Sequence, residues 1–422
     1  MQVNTTSIFE FIKEYKWILI IFILFLIVQI YQTTMFFWDP FVYHLNGQWL
    51  CGNQIYFEFL RPPLPSVVNC IVGAGDNSIF LTQVLASFVY LIAGIVLFKK
   101  ESVRKKIDQL FFALFFFLAP QILLFGNYGG DYFAIAFLIL AMCVNGGLRQ
   151  GLLFGLATLS RYNFFFYIIL LIDYKKLDLR KLVKIFIGIL IVWIPWLIYN
   201  YVQKQSLFFS IEETTYLNFL IKGVFAPIDI YQILLIGFFV IIFLITNLKE
   251  NVKEKTAQAG ILALIQFVFS GIKETRFLNV LVPFQATKIG EFVYGKDKQK
   301  LIFSIIIILI LIILVGTLAN QRYAKKIPAD DFIYGCRVMS DNWVYLYSDG
   351  IIAEPLPGKD SFIYFLENGV NLLIYDQNIE DIDFAPFKKI ITNDYTIIKS
   401  NTCDKQPNKY ELLVWRGNNP QE

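Results

Sequence analysis

Asp39, Arg61, Arg161, Lys273, Glu274 and Arg276 are the residues that could do chemistry in this chain, because each is an ionisable group within or beside a strongly apolar run. Asp39 opens the stretch WDPFVYHLNGQWLCGNQIYFEFLRPPL, residues 38–64, immediately after the first long apolar segment. A carboxylate there could take the proton of an attacking hydroxyl; placed directly before Pro40, it could equally cap a helix running to about Cys51. The spacing leaves both readings open. Arg161, between ATLS and YNFFF, is expensive in hydrocarbon and must face a wet cavity or an anion. Lys273 and Arg276, in GIKETRF, could hold an anion or snorkel at a helix end with Glu274 as partner.

The elements that must position these groups are membrane helices. A chain with 57% hydrophobic residues, 43 Phe and a mean hydropathy of +0.57 could not hide its apolar surface within a water-soluble fold. The expected fold class is an α-helical polytopic membrane protein of about 11 membrane segments, some short or broken, with a small C-terminal α/β extracytoplasmic domain. Spans are predicted over Trp17–Phe37, Ile79–Phe98, Ile107–Phe125, Asp131–Asn145, Lys184–Asn200, Ile230–Asn247, Gln258–Ile272 and Leu301–Ala319. Gly151–Ile172 reads as a segment broken around Arg161, and Phe277–Ile289 is short and holds Pro283.

Basic clusters at Lys99 to Lys106, Lys175 to Lys184 and Lys249 to Lys255 belong on the cytoplasmic side, whereas residues 38–78 hold only Arg61 as a base. With a cytoplasmic N-terminus in a cell or endoplasmic-reticulum-like membrane, the segments around Arg161 and before Lys273 must each turn back. Asp39, Arg61, Asp131, Arg161, Lys273, Glu274 and Arg276 then gather at the outer face. Residues 1–319 form the membrane domain with its outward loop 38–78; residues 320–422 are net acidic, against a whole-chain charge of +4, and form the outer domain. That tail alternates strand-like runs, WVYLYSDG, SFIYFLENG, VNLLIYDQ, KKIITND and YELLVWRG, with turns. It could cover the cavity, dock an acceptor or serve as a structural cap. Residues 201–229, with Glu212, Glu213 and Tyr216, read as an outer loop over the site.

The same topology puts Cys51 with Cys70 in the first loop and Cys336 with Cys403 in the tail, which gives two disulfides outside the cell or free thiols in a reducing compartment. His44 is the sole histidine, so histidine-clustered metal sites and Ser-His-Asp catalysis are not expected. It reads as an interfacial side chain or a proton shuttle. Asp131, in GNYGGD, supplies another carboxylate or caps a helix beginning at Tyr132. The glycines before it make a turn and not a nucleotide loop, since no strand precedes them and no Lys-Ser/Thr follows.

One carboxylate and several cations facing outward suit transfer of a sugar from a lipid phosphate. A phosphate leaves as a stable anion and needs no general acid, whereas hydrolytic glycosidases use two carboxylates. Arg and Lys would hold the phosphate as the glycosidic bond breaks.

At these residues the chain resembles the GT-C superfamily of polyprenyl-phosphate-dependent glycosyltransferases, in the branch of protein mannosyltransferases and aminoarabinose transferases. The likeness lies in Asp39, Tyr43, Gly47 or Gly52, and the turn Arg61-Pro62-Pro63-Leu64; in GLLFGLATLSRYNF; and in KETRFLNVLVPF, and it runs to about Ile289. The resemblance implies an inverting enzyme that moves a hexose such as mannose from a dolichyl or other polyprenyl phosphate to a glycan or protein hydroxyl outside the membrane. It implies Asp39 as base, with Arg161, Lys273 and Arg276 near the donor phosphate, joined by Arg61; Asp131, Glu274, Tyr43 and His44 would support them. Many relatives carry an acidic pair where this chain has Asp39 and Pro40, and the missing second acid leaves a divalent metal open but without support at that loop; no other cofactor and no nucleic acid is called for. The competing expectations are a lipid-linked sugar flippase or transporter, with ions at the midplane and no need of Asp39, and a non-catalytic scaffold of the same fold.

Overall fold

Long runs of Leu, Ile, Phe and Val become helices here because a helix satisfies its own backbone while presenting apolar side chains on every side. The computed structural model describes residues 5–33, 38–52, 56–75, 77–119, 122–123, 130–172, 178–215, 255–269, 275–301, 303–304, 337–341, 353–355, 362–374, 379–391, 396–400 and 410–412. In chain order these hold α1 (Thr5–Glu14), α2 (Lys16–Gln32), α3 (Trp38–Leu50), β1 (Tyr56–Glu58), α4 (Pro63–Ile71), α5 (Ser78–Ser102) and α6 (Gln109–Leu118). There follow α7 (Asp131–Cys143), α8 (Gly147–Ser160), a 3-10 helix (Tyr162–Leu171), α9 (Leu179–Lys204), α10 (Phe209–Thr215), α11 (Lys255–Phe269), a 3-10 turn (Thr275–Leu278) and α12 (Leu281–Val293).

Two of these, α5 and α9, are long and apolar enough to cross a membrane. The predicted span over Ile107–Phe125 is shorter than expected, and both ends have a local cause. Asp108 accepts a hydrogen bond from the Phe111 amide at 3.3 Å, and Ala119 turns extended at φ −58°, ψ 134°, because Pro120 disfavours helix in the residue before it. The break expected around Arg161 is present: α8 ends at Ser160, Arg161 is extended at φ −154°, ψ 117°, and a 3-10 helix follows. The spans expected over Ile230–Asn247 and most of Leu301–Ala319 lie outside the described residues.

The packing is tightest where side chains are smallest. Gly151 on α8 meets the Ile185 carbonyl of α9, and a Cβ at Gly188 would come within 2.5 Å of the Leu148 carbonyl, so the two backbones approach as closely as glycine allows. Elsewhere aromatic rings fill the interior. Phe25 of α2, Tyr90 of α5 and Tyr132 of α7 pack at centroid distances of 5.3 to 6.0 Å. The buried hydroxyls of these tyrosines are satisfied locally: Tyr90 donates to the Phe116 carbonyl at 2.8 Å and Tyr132 to the Ile122 carbonyl at 2.6 Å.

Beyond residue 336 the structure is mixed. β2 (Arg337–Ser340), β3 (Ala353–Pro355), α13 (Phe362–Glu367), β4 (Val370–Ile374), β5 (Lys388–Ile391) and β6 (Thr396–Lys399) give a five-stranded sheet in the order β3-β2-β4-β6-β5. The first two pairings are parallel and the last two antiparallel. The run SFIYFLENG, expected as a strand, is the helix α13. Phe362 and Leu366, one turn apart, are both buried against Val370 and Leu372, so the apolar period is helical. WVYLYSDG lies outside the described residues. The last strand, β7 (Tyr410–Leu412), pairs in parallel with β1, with Glu411 opposite Phe57.

Candidate active site

Asp39 falls in the first turn of α3, which begins at Trp38, and so is not the cap of a helix starting at Pro40. A carboxylate at that place is favoured by the helix dipole, and it is committed to a side-chain partner. Its Oδ1 lies 2.6 Å from Nη1 of Arg61. Arg61 reaches it from a tight turn after β1, where the Arg61 amide donates to the Glu58 carbonyl at 3.3 Å and Pro62 and Pro63 lead into α4. The Nε of Arg61 is meanwhile 3.2 Å from the Glu58 carboxylate. Asn46 of α3 holds Glu58 by its backbone, donating to its carbonyl at 3.0 Å and accepting from its amide at 2.9 Å. A disulfide between Cys51 and Cys70 joins the end of α3 to α4, in line with the expected pairing. The acid of α3, the strand and the Arg-Pro-Pro turn are therefore one braced unit.

A second ion pair stands at the helix break. Arg161 places Nε 3.1 Å from Asp131 Oδ1 and Nη1 3.2 Å from Oδ2, a two-point contact on a carboxylate that is almost fully buried. Asp131 is itself the first residue of α7, and the capping position belongs to Gly130, in the left-handed region at φ 74°. A Cβ on Gly130 would sit 2.5 Å from Cγ of Pro65, so glycine both allows the turn and lets the start of α7 touch α4. Hydrogen bonds tie the break to the Arg61 turn. Trp196 Nε1 donates to the Tyr162 hydroxyl at 2.8 Å, which donates to the Arg61 carbonyl at 3.4 Å, and Thr214 Oγ1 donates to the Leu60 carbonyl at 2.6 Å. The contact from α10 agrees with the expectation that the segment after α9 lies over this region; Tyr216 lies outside the described residues.

Tyr43, one turn after Asp39, is buried between the two pairs. Burial pushes its phenol well above the ordinary range, and Arg61, Asp39, Arg161 and Asp131 all act on it electrostatically. Burial likewise raises the Glu58 carboxyl, against the opposing pull of Arg61. For Arg61 burial alone would lower the guanidinium, but Asp39 and then Glu58 more than offset it and hold it above its usual value. The group thus brings three carboxylates, Asp39, Glu58 and Asp131, to two guanidiniums, each already engaged. A phosphate entering it must exchange with a carboxylate or recruit further cations.

The other expected site residues divide. His44 is buried and contacts Ser78 Oγ at 2.7 Å and Gln48 Nε2 at 3.1 Å, facing α5. Lys273 and Glu274 lie outside the described residues, as do Cys336 and Cys403; Arg276 falls in the 3-10 turn, but its side chain is not described. Cys143 is a half-buried thiol. Among the described residues no group of three or more His, Cys, Asp or Glu side chains is arranged to hold a metal ion. Sequence reasoning missed Glu58. Its signal was present, an acid three residues before Arg61 in an otherwise apolar strand, but no pattern distinguishes it from a surface charge until the fold buries it. No family model, curated protein or solved structure matches this chain.

Proposed function

We propose that this chain is a multi-pass membrane glycosyltransferase that moves a hexose such as mannose, with inversion, from a polyprenyl or dolichyl phosphate to a hydroxyl of a glycan or protein on the outer side. Support for the membrane setting comes from α5 and α9, of whose apolar windows only 39% and 28% are buried. A core helix of a water-soluble fold would hide such a face, yet Ile92 of α5 and Phe186, Ile191 and Ile198 of α9 are about half exposed. The further spans, the cytoplasmic N-terminus and the outer position of the tail follow from the sequence pattern.

The observation that carries the chemistry is the convergence of the Asp39–Arg61 and Asp131–Arg161 pairs around Tyr43, both at helix starts or breaks that border apolar segments. In a single displacement the acceptor oxygen attacks the anomeric carbon and its proton passes to Asp39. The bond from that carbon to the phosphate oxygen breaks, and the lipid phosphate departs with the electron pair, stabilised by guanidinium. The resting Asp39–Arg61 contact fits this order of events. A donor phosphate that binds Arg61 displaces Asp39 from it, so the base becomes available only when a leaving group is in place, while Glu58 keeps Arg61 aimed. Lys273 and Arg276 supply the further cations that the paired cluster lacks.

The test is sugar transfer from a labelled polyprenyl phosphate sugar in membranes holding the parent chain or Asp39→Asn. Transfer by the parent and its loss in the variant, with donor binding kept, is the expected result. Equal turnover would remove Asp39 as base, and movement of the lipid-linked sugar across the bilayer without transfer would favour the transporter.

A further inference from the structure

At helical spacing Phe9, Phe11 and Ile12 of α1 fall within one arc of the helix, and Glu10, Lys13 and Glu14 fall within the opposite one. The apolar arc meets two surroundings. Phe11 lies 5.0 Å from the ring of Tyr15, which is buried edge-on against Phe98 of α5 at 6.4 Å. Phe9 and Ile12, by contrast, are 71% and 49% exposed. A helix of 10 residues is too short to hold by itself in water, where about 12–15 are needed, so α1 calls for a partner on that exposed side.

The break between α1 and α2 is fixed. Tyr15 leaves helical geometry at φ −111°, ψ 22°, and Gln109, the first residue of α6, bridges the gap. Its Nε2 donates to the Glu14 carbonyl at 2.7 Å and its Oε1 accepts from the Trp17 amide at 3.2 Å. Trp17, at the start of α2, is partly exposed with the Lys16 ammonium 5.3 Å from its ring, and Tyr31 is partly exposed near the other end. Such aromatic and lysine side chains mark headgroup depth. Between them Ile20, Ile23, Leu24 and Ile27 are about half exposed, as side chains facing lipid are. If α1 ran straight on from α2, Phe9 would stand about 12 Å beyond Trp17 and in water. Laid along the interface, α1 instead sinks Phe9 and Ile12 to the acyl boundary and leaves Glu10, Lys13 and Glu14 wet.

We propose that α1 is a membrane-surface anchor, an interfacial helix that docks on the anionic cytoplasmic leaflet with Phe9 and Ile12 inserted and with Gln109 holding its break from α2. Charge complementarity sets the partner. Lys99, Arg104 and Lys106, in and just after the end of the helix that Tyr15 packs against, are exposed cations at the same level. The inference needs the membrane setting and not the sugar-transfer chemistry.

The experiment places a benzophenone side chain at Phe9, Ile12, Glu10 or Lys13 in turn in the full chain, held in nanodiscs of phosphatidylcholine and phosphatidylglycerol, and weighs the adducts after irradiation. Lipid adducts at Phe9 and Ile12 are expected to exceed those at Glu10 and Lys13 roughly fivefold. Phe9→Ser with Ile12→Ser should speed amide exchange through α1 about tenfold while α5 exchanges as in the parent. Gln109→Ala, which frees the break, should shrink the difference between the two faces. Adducts equal on both faces, crosslinks from Phe9 to a second copy of the chain, or exchange unchanged in the double variant would overturn the anchor. Adducts at Phe9 that stay the same in phosphatidylcholine alone would overturn the choice of an anionic surface. Loss or retention of transfer in Asp39→Asn moves none of these readouts, so the two readings fail separately.

Discussion

The Asp39 carboxylate is 2.6 Å from the guanidinium of Arg61, and that guanidinium also holds Glu58 at 3.2 Å. The candidate base is thus stored against a cation, and a second acid keeps the cation in place. Asp39→Asn preserves the shape and leaves Arg61 its Glu58 partner, so the variant is expected to fold and to bind donor. Loss of a positioned base should lower turnover by about 10²–10⁴. The ratio of initial transfer rates, measured with donor binding on the same preparation, decides it.

Arg61→Ala is predicted to be worse for folding than for any single step, because Asp39 and Glu58 would be left buried without their cation. Removing one partner of a buried pair costs about 3–5 kcal/mol. Adding Asp39→Asn and Glu58→Gln to the same chain should recover most of the thermal midpoint but no transfer. Recovery of activity with stability would show that neither Arg61 nor Asp39 takes part in the transfer.

Glu58 gives the site a pH signature whose sign is fixed by its burial. A carboxyl raised above its ordinary 4.5 binds its proton more tightly in the folded chain than in the unfolded one. Its contribution to stability is therefore fully present below about 4.5 and is lost as pH rises through the higher folded value. Glu58→Gln, which stays neutral, should flatten that part of the thermal midpoint against pH profile. A variant whose profile overlays the parent's would contradict the raised carboxyl.

Arg161→Ala should weaken the donor's KM more than kcat and destabilise the fold through an unpaired Asp131. The double change Arg161→Gln with Asp131→Asn removes both charges, and is expected to restore the midpoint without restoring donor affinity. Unchanged donor dependence in either variant would count against a phosphate role for Arg161.

Gly130→Ala tests how the two halves of the site are joined. The added methyl meets Pro65 and must adopt a left-handed backbone, costing about 1–2 kcal/mol, and should separate the start of α7 from α4. A lower midpoint together with reduced transfer is expected. Transfer at parental level in a destabilised variant would show that the contact serves the fold only.

The sequence alone was enough for the parts that depend on local pattern. An apolar run predicts a helix, and Ser-Arg-Tyr-Asn inside an apolar segment predicts a break, because each consequence is set by neighbours a few residues away; the stop of α6 before Pro120 was equally local, yet the expected span ran through it to Phe125. The positions of Asp39 after the first apolar helix, of the Arg61-Pro62-Pro63 turn and of the Cys51–Cys70 link were legible for the same reason. Partner choice was not. Which acid meets which guanidinium depends on how α3, β1, α7 and α8 come together, and charge type alone permits every pairing. Only the tertiary structure sets Asp39 on Arg61 and Asp131 on Arg161, turns Asp131 from a cap into an ion-pair partner, and buries Glu58. It also shows SFIYFLENG to be a helix, since the sheet beneath it, more than its strand-forming residues, decides its period. Burial is a property of the assembled chain, and it turns an ordinary acid and base into groups that must find each other.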